Sequence, residues 1–103
     1  MERIEKIKEL LRDNPEDSFL KHALALEHIK AGDEAEAGRL FEELLTADPG
    51  YVGSYYHLAK LLERKGNKTG AIAWYEKGME AAKVANDAHA LNELLAAYKD
   101  ITE

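Results

Sequence analysis

The residues of this sequence best suited to chemistry are four histidines and one adjacent pair of carboxylates. A metal site on a helix needs ligands one turn apart on one face, and general acid–base work needs two groups converging on one substrate atom. His22 and His28 are six positions apart on one segment, about 120° away from stacking along a single face. His57 and His89 stand alone. Glu42 and Glu43 are sequence neighbours, and helical neighbours diverge by about 100°, so they cannot share a substrate. With no cysteine there is no thiol nucleophile, no thiolate ligand and no disulfide. A phosphate-cradling Gly-rich loop, a nucleophile elbow and a P-loop lysine are all missing. The chain reads as non-enzymatic, with no catalytic residue, no metal site and no cofactor expected.

Charge narrows the possible partners. Fourteen Lys and Arg against twenty Asp and Glu give a net charge of −6, so neither nucleic acid nor an anionic membrane is expected as the main partner. No apolar run reaches the ~20 residues that span a bilayer. The start, Met1-Glu2-Arg3-Ile4-Glu5-Lys6, alternates charge where a secretory leader would be apolar. A soluble, cytoplasmic, single-domain protein is the expectation for 103 residues. The charge is also uneven: residues 13–51 carry ten acids against Lys21, Lys30 and Arg39, a sum of −7, whereas residues 52–85 sum to +3. Solvated helix faces account for such runs, and a polarised binding surface is the functional alternative.

Any side chain that meets a partner must be carried on a helix, because apolar residues recur every three to four positions and never alternate. Asn14-Pro15, Gly32-Asp33, Asp48-Pro49-Gly50, Gly66-Asn67 and Asn86-Asp87 cut the chain into six short segments. Asn14 and Asp48 are expected to cap the following helices, with Pro15 and Pro49 at the first helical position, and Asp33 with Glu36 reads as a capping box. The expected stripes are Ile4, Ile7, Leu10, Leu11; then Ala37, Leu40, Phe41, Leu44, Leu45; then Tyr51, Tyr55, Leu58, Leu62; then Ala71, Ile72, Tyr75, Met79; and last Leu91, Leu94, Leu95, Tyr98. The second segment is apolar around most of its circumference and should be an inner helix. Gly78, interior to a helix, is explained by close approach of the final helix.

Sliding the chain against itself by 34 residues superposes Leu24 on Leu58, Ala25 on Ala59, Gly32 on Gly66, Ala37 on Ala71, Glu42 on Glu76 and Ala47 on Ala81. Phe41 falls on Tyr75 and Pro15 on Pro49. These matches mark equivalent helix turns, turn glycines and small contact residues, which is a tandem helix-turn-helix repeat.

The second copy resembles the tetratricopeptide repeat, with Tyr55, Leu58, Ala59, Leu62, Gly66, Ala71 and Tyr75 at the signature spacings and Lys83 in place of the closing proline. The first copy keeps Leu24, Ala25, Gly32, Ala37, Phe41 and Pro49, but Lys21 and His28 stand where aromatics are usual, which should loosen its packing. The resemblance implies an all-α, right-handed α-α superhelix, a helical solenoid of about six antiparallel helices. On that reading 1–13 is a capping helix, 18–51 and 52–85 are two full repeats, and 86–103 is a closing helix. A single pair cannot cover its own apolar stripe, so the flanking helices complete the stack.

In the family, the first helices of successive repeats line a concave groove that takes extended or helical peptides. Residues about 200° round the wheel from the hairpin contact are Gly53, Tyr56, Lys60 and Glu63 in the second repeat, Phe19, His22, Leu26 and Ile29 in the first, and Ala90 and Leu94 in the last helix. The resemblance implies Phe19, Leu26 and Tyr56 as apolar anchors beside Ile29, with His22, Lys60 and Arg64 as polar contacts. Some members clamp a terminal carboxylate, but the matching positions here are His22, Leu26, His57, Asp87 and Leu91, so a chaperone-tail ligand is not expected. The expected function is an adaptor binding a protein or peptide segment. The rival is a homodimeric scaffold, joined through opposite charges of the two repeats or through Leu91, Leu95 and Tyr98, and a third reading is an enzyme accessory subunit or a piece of a longer scaffold.

Overall fold

The computed structural model describes residues 2–103. Six helices follow one another: α1 (Glu2–Asp13), α2 (Ser18–Lys30), α3 (Glu34–Ala47), α4 (Gly53–Arg64), α5 (Lys68–Val84) and α6 (Ala88–Thr102). There is no strand among the described residues. The chain forms an all-α helical repeat fold with two compact units, one ending at Asp48 and the other starting at Pro49.

Caps set the helix starts. Asp17, Asp33, Asn67 and Asp87 each accept the backbone N–H three residues on, at 3.0, 3.2, 2.9 and 3.0 Å. Two expected caps are not used. The Asn14 side chain donates backwards to the Leu10 carbonyl, and Asp17 caps α2 instead, so Pro15 lies in the turn before the helix. Asp48 accepts the Ser18 hydroxyl at 2.6 Å, and α4 starts from Val52 with no side-chain cap, leaving Pro49 in a turn. A bond to a residue 30 positions away in the same unit outcompetes the cap at Asp48. The Asp33 half of the capping box forms, but the Glu36 carboxylate is taken by Arg39 at 2.7 Å. That hydrogen bond holds the Glu36 carboxyl below its ordinary pKa.

Three helix ends share one closing motif. The N–H groups of Asp33, Asn67 and Asp87 reach back five residues to His28, Leu62 and Ala82, with the residue before each at positive φ: Gly32 +85°, Gly66 +88° and Asn86 +56°. A Cβ at Gly66 meets nothing within 4 Å, so a substitution there tests backbone strain alone. Gly66→Ala is expected to cost about 1–2 kcal/mol in urea unfolding. Gly66→Asn should cost less, as Asn86 already shows the conformation is open to it.

In the first unit α2 packs between α1 and α3. Its core is Ile4 and Ile7, Leu24 and Ala25, and all five α3 residues expected from the stripe. Leu10 is exposed and Leu11 half-buried, so the α1 stripe is narrower than its sequence pattern. Lys21 and His28, at the positions where aromatics are usual, are both buried. His28 Nδ1 lies 3.9 Å from the Asp33 carboxylate, while its Nε2 is buried without a hydrogen-bond partner.

In the second unit α5 packs between α4 and α6, and α4 also touches α6. Because α4 is contacted by two helices, Ser54 and Leu61 are buried and Leu62 is half-buried, a rotation from the expected stripe. On α5 the buried line is Ala71, Tyr75, Gly78 and Ala82, with Ile72 and Met79 at its edge. On α6 it is Leu94 and Ala97, with Leu91 and Tyr98 half-buried and Leu95 exposed. At Gly78 α5 meets both α4 and α6: a Cβ there would lie 2.6 Å from Tyr55 Cβ and 3.1 Å from Leu94 Cδ1.

Candidate functional site

The residues expected to meet a partner lie on α2 in the first unit and on α4 in the second. On α2 the spacing of Phe19, His22, Leu26 and Ile29 keeps them along one side of the helix. Phe19 is 66% exposed. Leu26 and Ile29 are half-buried, and the His22 ring sits edge-on to the buried Phe41 ring at 5.6 Å. His22 is thereby oriented by the core while part of it stays open.

On α4, Tyr56, Lys60 and Arg64 follow each other one turn apart. Tyr56 and Lys60 are half-buried and Arg64 is exposed. The Lys60 ammonium is 5.6 Å from the Tyr56 ring centre and 3.6 Å from the Glu63 carboxylate. Glu63 also accepts the Tyr75 hydroxyl. Burial, and then that bond, push the Tyr75 phenol well above its usual pKa, so it acts as a fixed donor. The α4 face is thus a pre-arranged set of an aromatic ring, a cation and an anchored carboxylate. The expected placement of Leu94 beside these faces is wrong, because Leu94 is buried against the Gly78 region.

His57 packs edge-on to Tyr56 at 5.9 Å. Burial lowers its pKa, with Arg64 acting in the same direction and Glu93 opposing. A lowered folded-state pKa means the unfolded chain binds the proton more readily. Stability is therefore complete above the unfolded value of about 6.5 and is lost as pH falls through the lower folded value. His57→Gln is expected to flatten the pH dependence of the urea midpoint below about pH 6.5. A profile unchanged by the substitution would show that His57 carries no such linkage.

Sequence reasoning missed a cleft of about 480 Å³ in the second unit, lined by Pro49, Gly50, Tyr55, Ala81, Val84 and Ala85. Val84 is 82% exposed there. The signal was present: Lys83 stands where the repeat would place proline, so α5 runs to 17 residues where α3 has 14. The extra turn carries Val84 outward. Beside it the Lys77 ammonium lies 4.3 Å from the Trp74 ring centre. Among the described residues no three His, Asp or Glu side chains converge as metal ligands would, and no helix is long and apolar enough to cross a membrane.

Consecutive helices packed in pairs and glycine-closed turns at a 34-residue spacing define a helical repeat protein. A family profile for the tetratricopeptide repeat matches residues 28–98, and the chain belongs to that family. Its fold is similar to the solution structure of a tetratricopeptide repeat domain protein from Salinibacter ruber, at 44% identity and a TM-score of 0.82, covering 85% of this chain and 89% of that one. A Bordetella parapertussis protein shares the fold at 22% identity and a TM-score of 0.81, over 95% of this chain and 85% of the other. Among curated proteins, the chain is 27% identical over 97% of its length to mouse interferon-induced protein with tetratricopeptide repeats 3, of which that match covers 24%. It is 29% identical over 81% of its length to human protein IFIT1 homolog B, of which the match covers 18%. The chain thus spans about a quarter or less of the length of these curated relatives. Tetratricopeptide repeat domains in general mediate protein–protein interaction.

Proposed function

We propose that the chain is a non-enzymatic adaptor that binds a peptide segment or helix of a partner protein on the α2 face of the first unit and the α4 face of the second. The observation that supports it is Phe19, an aromatic left two-thirds exposed beside the half-buried Leu26 and Ile29. An exposed aromatic next to half-buried aliphatic side chains suits a partner's apolar side chains. Phe19, Leu26 and Tyr56 act as anchors, with His22, Lys60 and Arg64 as polar contacts. Residues 18–51 and 52–85 serve as the two repeats, with 1–13 and 86–103 as flanking helices. The lack of cysteine suits a cytoplasmic setting.

Peptides selected on the chain from a random display library provide the test. They are expected to bind Phe19→Ala and Tyr56→Ala about tenfold or more weakly, and to bind Val84→Ser unchanged. Equal binding to all three variants would remove the reading. The exposed Leu95 beside half-buried Leu91 and Tyr98 on α6 favours a second one, a homodimer through that flank. Light scattering over a concentration and salt series decides it, since a dimer of this kind persists in salt and dissociates in Leu95→Lys.

A further inference from the structure

The first unit carries seven Lys and Arg against thirteen Asp and Glu, a net −6. Against that background Lys8 and Arg12 of α1 and Lys21 of α2 line a single cleft of about 360 Å³, together with the apolar Leu11, Pro15 and Leu40. Glu43 also borders the cleft, but its carboxylate is held by Arg39 at 3.0 Å. Among the described residues none of the three cations makes an ion pair. Lys8 acts only weakly on the Glu36 carboxylate.

Lys21 is the decisive residue. It is only 8% exposed, and its ammonium has no hydrogen bond or ion pair among the described residues. His28 Nε2 is the polar side-chain atom sealed away without a partner, and Lys21 Nζ is not, so the ammonium opens into the cleft that Lys21 lines. It also sits in the first turn of α2, where the helix dipole disfavours a cation, whereas Arg12 lies in the last turn of α1, where the dipole favours one. The repeat shows what this position holds when it serves packing alone. Its counterpart, 34 residues on, is Tyr55, whose hydroxyl donates to the Pro49 carbonyl at 2.5 Å. Lys21 buries its stem where that tyrosine sits but leaves an unpaired ammonium facing the cleft, a charge that no group of its own unit neutralises.

We propose that this cleft binds an apolar monoanion, a single carboxylate on a short hydrocarbon stem, with Lys21 and Arg12 holding the carboxylate and Leu11, Pro15 and Leu40 covering the stem. The apolar Leu11, Pro15 and Leu40 beside the cations give a hydrocarbon stem a surface to cover, which a bare inorganic ion would leave wet. The surrounding net charge of −6 disfavours any ligand with several negative groups. The site does not rest on the partner-binding reading above, and it uses none of the residues named for that role.

The full chain titrated with hexanoate, hexanamide and inorganic phosphate tests this. Hexanoate is expected to shift the Lys21 ε-CH2 NMR signal saturably and to raise Tm, hexanamide to do neither, and phosphate to bind more weakly. Lys21→Met should keep or raise the Tm of the free chain and weaken hexanoate about tenfold or more. Arg12→Gln, at an exposed position of α1, should weaken it several-fold and serves if Lys21→Met folds poorly. N-acetyl-alanyl-leucine binding more tightly than hexanoate assigns the site to a protein chain end, and the reverse order assigns it to a small free acid. No saturable response, a response unchanged in both variants, or phosphate binding as tightly as hexanoate overturns the proposal.

Discussion

Leu58→Ala is expected to lower the unfolding free energy by about 2–5 kcal/mol, the range for removing a buried leucine and leaving a cavity. Leu58 is 1% exposed, at the centre of α4 where the helix meets its neighbours. Tyr56, two residues earlier and half-buried on the other side of the helix, should cost no more than about 1 kcal/mol when cut to alanine. Urea unfolding followed by far-UV circular dichroism separates the pair through the midpoint, with an unchanged slope showing that the fold survives. Equal losses would mean that the buried and open sides of α4 are exchanged. The comparison also guards any binding experiment on Tyr56, because a stable variant that loses a ligand has lost a contact and not its fold.

Gly78→Ala sets two effects of opposite sign against each other. Alanine in a helix interior gains about 1 kcal/mol over glycine from backbone entropy. At this position, however, the new methyl would stand 2.6 Å from Tyr55 Cβ, which is fixed to the α4 backbone and cannot swing away. α4 or α5 must shift, and overpacking of that kind costs about 1–3 kcal/mol. Tyr55 also donates its hydroxyl to the Pro49 carbonyl, so movement of its Cβ strains a second bond. The steric cost wins, and a net loss of stability is expected; Gly78→Leu should be worse still. A more stable Gly78→Ala protein in urea or thermal melts would show that the helices separate without cost.

Much of this was readable from residue types. The turn residues Gly32, Gly66 and Asn86 located three helix ends because left-handed backbone is open to few residues. The five apolar residues of α3 were all correctly assigned to the core, since that helix has one clear apolar side. Where a helix touches two others, a single stripe is too simple a rule. This is why Leu61 replaced Leu62, and why Leu94 moved from the expected partner face to the interior. Caps failed where a distant group competed, as Ser18 did for Asp48. Lys21 was legible only as a departure from the repeat; that its stem is buried while its ammonium stays unpaired depends on the α1 and α3 side chains around it, which no local pattern encodes.

Every packed helix pair within the two units is either adjacent along the chain or one helix removed. Few long loops need closing before contacts form, so the relative contact order is low and folding in the microsecond-to-millisecond range is the physical consequence. A nucleus can form in either unit without waiting for remote segments to meet. Quick folding of this sort leaves little time for sticky intermediates, an advantage for a chain that keeps Phe19 and Val84 in water.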